Sequence, residues 1–127
     1  MTFNEYTNKA LETAVYPGQG TTTGLLYTIL GMYGEAGEFA EKVKKVIRDN
    51  DGVLDHLKYQ DMILELGDMM WYMVSVLEEL YALYASSIGE GEAWLVKQSL
   101  AEVAQANVDK LESRRERSVI HGDGDHR

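Results

Sequence analysis

Two long stretches with apolar residues at steps of three and four constrain the fold more than any other feature of this chain. In the first, Leu25, Ile29, Met32, Ala36, Phe39, Ala40, Val43 and Ile47 follow helical spacing, and in the second Met62, Leu66, Met69, Met73, Val76 and Leu80 do so. That period marks helices with one buried stripe. The only proline, Pro17, lies outside both stretches, so neither contains the residue that most reliably breaks a helix. Helices are expected over residues 22–48 and 55–86, divided by the turn signal Asp49-Asn50-Asp51-Gly52. Lys42, Lys44, Lys45 and Arg48 load the end of the first of these with positive charge, which suits the helix dipole.

Two further helices complete the pattern. One spans residues 2–15 and opens on a capping box, Thr2-Phe3-Asn4-Glu5, with Phe3, Tyr6, Ala10, Leu11 and Ala14 on one face. Tyr16-Pro17-Gly18-Gln19-Gly20 ends it. The last spans residues 92–117 after the break at Ser87-Ile88-Gly89-Glu90-Gly91, with Leu95, Leu100, Val103, Ala104, Val108 and Leu111 apolar. At 127 residues the chain reads as one domain over 1–118 with a tail over 119–127. An all-α antiparallel bundle of about four helices is expected.

Composition narrows the function classes. There is no cysteine, which removes disulfides and thiolate metal ligands and agrees with a cytoplasmic setting. The first residues lack a signal-peptide pattern, and no apolar run approaches the roughly 18–20 residues of a membrane span. A net charge of −9 argues against a nucleic-acid polymer as partner. It leaves room for a small anion, because a bound divalent cation reverses the local field.

The chemistry lies in two acidic pairs, Glu35-Ala36-Gly37-Glu38 and Glu65-Leu66-Gly67-Asp68. Spacing of three places each pair on one helix face, where like charges repel. The 26 residues between Glu38 and Glu65 centre on the turn, so an antiparallel hairpin brings the pairs level. Four converging carboxylates suit a hard cation, Mg²⁺ or Mn²⁺. Solvated acidic faces are the plain alternative for any single pair. Each pair has a glycine before its second acid, read either as close helix approach or as room for a ligand.

These motifs, Gly34-Glu35-Ala36-Gly37-Glu38-Phe39-Ala40-Glu41-Lys42 followed by Glu65-Leu66-Gly67-Asp68-Met69-Met70-Trp71-Tyr72, resemble the MazG-like family of all-α nucleoside triphosphate pyrophosphohydrolases. The resemblance implies Mg²⁺ at Glu35, Glu38, Glu65 and Asp68, with Mn²⁺ as a substitute, and hydrolysis of a nucleoside triphosphate to monophosphate and pyrophosphate. Glu38 would orient or deprotonate the attacking water. Many members carry a further acid where this chain has Gly34. The segment Asn107-Val108-Asp109-Lys110 resembles the family's Asn-x-x-Lys motif, which implies phosphate contacts from Asn107 and Lys110, with Arg114 one turn further on. Lys42 is a further phosphate-side candidate, with Lys45 beside it. Tyr72 continues the acidic face and could touch base or sugar, with Trp71, Tyr16 and Gln19 as weaker candidates. The resemblance also implies a homodimer or homotetramer, consistent with apolar Leu26, Tyr33, Val46, Met70, Val74 and Leu77 outside the main stripes. The rival expectation is a non-catalytic helical oligomerisation module with a structural divalent cation. In the tail, His121, Asp123, Asp125 and His126 could hold a metal, although a glycine-rich terminus is a poor rigid site; closure over a nucleotide is the other reading.

Overall fold

The computed structural model describes residues 1–121, all of its regular structure helical. Helix α1 covers Phe3–Glu12, α2 Thr22–Asp49, α3 His56–Ile88, α4 Glu90–Ala93 and α5 Leu100–Glu116. The tail residues Asp123, Asp125 and His126 lie outside the described residues. No helix among the described residues is long and apolar enough to cross a membrane.

Caps set the helix limits. The capping box of α1 forms as expected, the Thr2 hydroxyl accepting from Glu5 N at 3.2 Å and the Glu5 carboxylate from Thr2 N at 2.6 Å. The helix stops at Glu12, earlier than expected, as the chain turns through Gly18 (φ 73°). The turn after α2 uses left-handed Asp51 and Gly52, with Gly52 N donating to Val46 O at 3.1 Å. Asp55 then caps α3 by accepting from Lys58 N at 2.9 Å.

The final helix departs from expectation. Gly89 (φ 89°) closes α3, α4 is a single turn, and residues 94–99 are not helical. Ser99 and Glu102 form a second capping box, so α5 begins at Leu100 rather than near residue 92. Leu95 therefore falls outside the helix and is exposed.

Helices α2 and α3 form an antiparallel hairpin with a regular seam. A Cβ on Gly24 would meet Glu79 Oε2 at 2.8 Å, and one on Gly31 would meet the Tyr72 ring at 2.1 Å. Glu38 and Glu65 meet at the next layer. Each step is seven residues forward on α2 and seven back on α3, the repeat of a coiled-coil seam. Thr28 and Ser75, both buried, fall between these layers. The expected apolar stripes are each displaced one residue from this seam, about 100° around the helix. Leu66, Met73 and Leu80 are consequently exposed beside it.

The main apolar cluster is small: Ala10, Val74 and Leu100, flanked by Tyr6, Leu11, Trp71 and Leu77, with Val46 and Ala93 buried outside it. It joins α1, α3 and α5 on a side of α3 away from the α2 seam. Trp71 Nε1 donates to Ala10 O at 3.1 Å and to Thr13 Oγ1 at 2.9 Å, which ties α1 to α3.

Candidate metal centre

At the midpoint of the seam, acids replace the small residues. Glu35, Glu38 and Glu65 each offer one oxygen, and these oxygens all lie within 4.8 Å of one another. Glu65 is buried, Glu35 half-buried and Glu38 exposed. Asp68, exposed, stands outside this trio but close enough to act on Glu35. The Glu35 carboxyl is held above the ordinary carboxylate value by burial first, then by the charges of Asp68, Glu38 and Glu65. Lys42 Nζ lies 3.0 Å from Glu65 Oε1, and that contact raises the lysine's own proton affinity.

The donor set fits a hard divalent cation. It is all carboxylate oxygen, comes from two facing helices, and already accepts one cationic group in Lys42. Gly37 and Gly67 have open space where a Cβ would stand, so neither serves close helix approach within the chain. The close-approach glycines are Gly24 and Gly31, whose heptad spacing from Glu38 was the available signal.

An aromatic wall adjoins the acids. Tyr72 packs on Gly31, edge-on to Trp71 at 4.9 Å, and its hydroxyl is pushed up by burial and by nearby Tyr27, Glu35 and Asp68. Tyr16 stacks on Tyr27 at 5.6 Å and meets Trp71 edge-on at 6.3 Å. The polar ends of Tyr16 and Gln19 are engaged by the chain itself: Tyr16 donates to Glu79 Oε1 at 2.7 Å, and Gln19 Nε2 to Ala14 O at 2.8 Å. Burial and that carboxylate push the Tyr16 hydroxyl up to about 12. Tyr27 and Glu79 each reach Tyr16 through the fold, which their sequence spacing does not signal.

The candidates on α5 sit elsewhere. Asn107 and Lys110 border a groove of about 760 Å³ with Phe3, Met70, Met73 and Val103, and none of the four acids lines it. Arg114, at 6% exposure, is turned inward rather than to solvent. Lys42 also borders a smaller cavity of about 260 Å³ with Lys45, Lys58 and Asp61. Lys58 lies in the first turn of α3, level with Lys45 across the hairpin, and that placement is the sequence signal for it.

The fold is an all-α helical hairpin whose seam carries three converging carboxylates from two facing helices. The MazG nucleotide pyrophosphohydrolase domain matches residues 24–119, a span that includes all four acids and the Asn107/Lys110 segment. The chain is also similar to the Gene 37 protein of Mycobacterium phage L5, 42% identical over 125 residues that cover 96% of each chain. This chain belongs to the MazG nucleotide pyrophosphohydrolase domain family. No solved structure gives a significant match.

Proposed function

We propose that this protein hydrolyses nucleoside or deoxynucleoside triphosphates to monophosphate and pyrophosphate with Mg²⁺, serving nucleotide-pool control or house-cleaning in the cytoplasm. The observation that carries the reading is the convergence of Glu35, Glu38 and Glu65 oxygens from two helices within 4.8 Å. Glu35, Glu38, Glu65 and Asp68 are the proposed ligands, for Mg²⁺ or for Mn²⁺ in its place. Bound there, the cation supplies charge stabilisation at the triphosphate and lowers the pKa of a coordinated water.

The chain's own groups divide the remaining work. Glu38 is the exposed member of the trio, which supports it as the group that orients the attacking water and takes its proton. Glu65 and Glu35 are more enclosed and keep the cluster's shape. Lys42 lies on the phosphate side, and Tyr72 flanks the acids as the contact for base or sugar. Asn107 and Lys110 border a groove that none of the acids lines, which supports their contacting a substrate held at the acids of a neighbouring copy. Exposed Leu26, Leu30 and Tyr33 on α2, with Leu66 and Met73 on α3, supply the apolar surface such a homodimer or homotetramer would bury.

The test is incubation with a panel of NTPs and dNTPs, with and without Mg²⁺. Monophosphate plus pyrophosphate, formed only with the cation, is expected. No turnover across the panel would leave a cation-binding helical module. Orthophosphate plus diphosphate would keep an enzyme and overturn the bond assigned.

A further inference from the structure

Lys42 borders both the acidic cluster and a cavity that Lys45 and Lys58 line with one acid, Asp61. Its ammonium lies 3.0 Å from Glu65 Oε1, in contact with the acidic cluster. Its side chain also lines the cavity of about 260 Å³ shared with Lys45, Lys58 and Asp61. The other two lysines are held by acids on their own helices or caps, Lys45 by Glu41 at 3.8 Å and Lys58 by Asp55. Of the three, Lys42 is the one paired with an acid of the cluster.

Electrostatics make that pairing conditional. Three carboxylates this close repel strongly, and an ammonium at Glu65 offsets part of that repulsion in the cation-free protein. A divalent cation held by the same oxygens carries twice the charge, so an ammonium in contact with Glu65 would then be repelled. Lysine's four-carbon stem allows the head to move without the helix moving. The direction open to it is the cavity that Lys42 already lines.

We propose that Lys42 is an exchangeable counter-ion: it neutralises Glu65 in the cation-free protein and, when the acids hold a divalent cation, turns to join Lys45 and Lys58 in a pocket for a phosphate group. The proposal rests on the metal reading of the cluster and goes beyond it by assigning Lys58 and Lys45 a ligand. Cation uptake creates the anion pocket, and anion binding must strengthen cation binding in return. In the proposed reaction, the pocket would receive the pyrophosphate end of the substrate only in the loaded site.

Calorimetric titration of Mn²⁺ into wild type, Lys42→Met and Lys45→Met tests the exchange. Lys42→Met should bind Mn²⁺ about tenfold more tightly, whereas Lys45→Met, which removes the same charge one turn away, should gain about twofold or less. Lys42→Gln should repeat the tenfold gain if the methionine variant packs poorly. Magnesium pyrophosphate titrated into the Mg²⁺-saturated protein tests the pocket: Lys42→Met and Lys58→Met should each bind it about tenfold more weakly than wild type. Lys58→Met should keep Mn²⁺ affinity within about twofold. Equal Mn²⁺ affinity in Lys42→Met and Lys45→Met would overturn the exchange while leaving the metal site standing. Unchanged pyrophosphate affinity in Lys58→Met would overturn the pocket. Failure of all proteins to bind Mn²⁺ would overturn the metal site, and the proposal with it.

Discussion

Glu79 and Glu65 occupy the same helix, the same seam and similar burial, at 3% and 8% exposure, yet the chain provides for them differently. Glu79 accepts from the Tyr16 hydroxyl at 2.7 Å and from Gly20 N at 2.8 Å, and the absence of a side chain at Gly24 leaves room for its carboxylate. Four turns away, Glu65 faces two other glutamates within 4.8 Å and has one lysine against it. Buried charge is tolerated where donors converge on it and is costly where like charges do. Glu79 thus reads as an anchor that fastens the α1–α2 loop to α3. At Glu65 the chain supplies Lys42 alone, and the proposed cation would supply the rest.

The largest test of this contrast is chemical. Glu38→Gln keeps the shape of the cluster and removes the proposed base, so turnover should fall about 100-fold or more while the helical circular-dichroism signal stays intact. Retained activity would place the chemistry elsewhere. Next in size is Glu79→Gln, which should cost about 1–3 kcal/mol in denaturant unfolding, because Tyr16 and Gly20 lose a charged acceptor in a buried site. Mg²⁺ should not restore that loss. The matching change at the other end, Glu35→Gln, should stabilise the cation-free protein by about 1 kcal/mol or less, since it removes one of the mutually repelling charges. If both variants destabilise alike, the two ends of the seam do not differ as described.

The smallest effect is in pH. Folding favours the protonated form of Glu35, whose carboxyl is held above 4.5 by burial and by Asp68, Glu38 and Glu65. That contribution is complete below 4.5 and is lost as pH rises through the raised value. A proton and the proposed divalent cation would compete for the same cluster. The rise in melting temperature caused by Mg²⁺ should therefore be smaller just above 4.5 than near neutral pH, growing across that window.

Much of this was legible in the sequence because it depends on local rules. The capping box at Thr2, the turn at Asp51-Gly52 and the long periods of α2 and α3 each follow from a few neighbouring residues. Level placement of the acidic pairs followed from the hairpin. The seam itself was harder to read, because apolar residues define a stripe one position away from it. Gly24, Thr28 and Gly31, with Ser75 opposite, are small residues that let the helices close, and a hydrophobic pattern does not single them out. The Glu79 anchor spans 59 residues to Gly20 and has no local signature. Apolar residues before Ser99 point to a helix start near residue 92, but the Ser99 and Glu102 capping box outweighs them and α5 begins at Leu100. That the groove beside Asn107 and Lys110 is lined by Phe3, Met70 and Met73 and by none of the four acids is a tertiary fact that spacing along α5 does not encode.

The central claim is that the chain leaves its carboxylates at Glu35, Glu38 and Glu65 for a divalent cation while satisfying Glu79 itself. Anomalous scattering from crystals grown with saturating Mn²⁺ tests it most directly. A peak bridging Glu35, Glu38 and Glu65, with none at Glu79, is the predicted result. A map with no peak at the three glutamates, or with Mn²⁺ bound at Glu79 instead, would contradict the account.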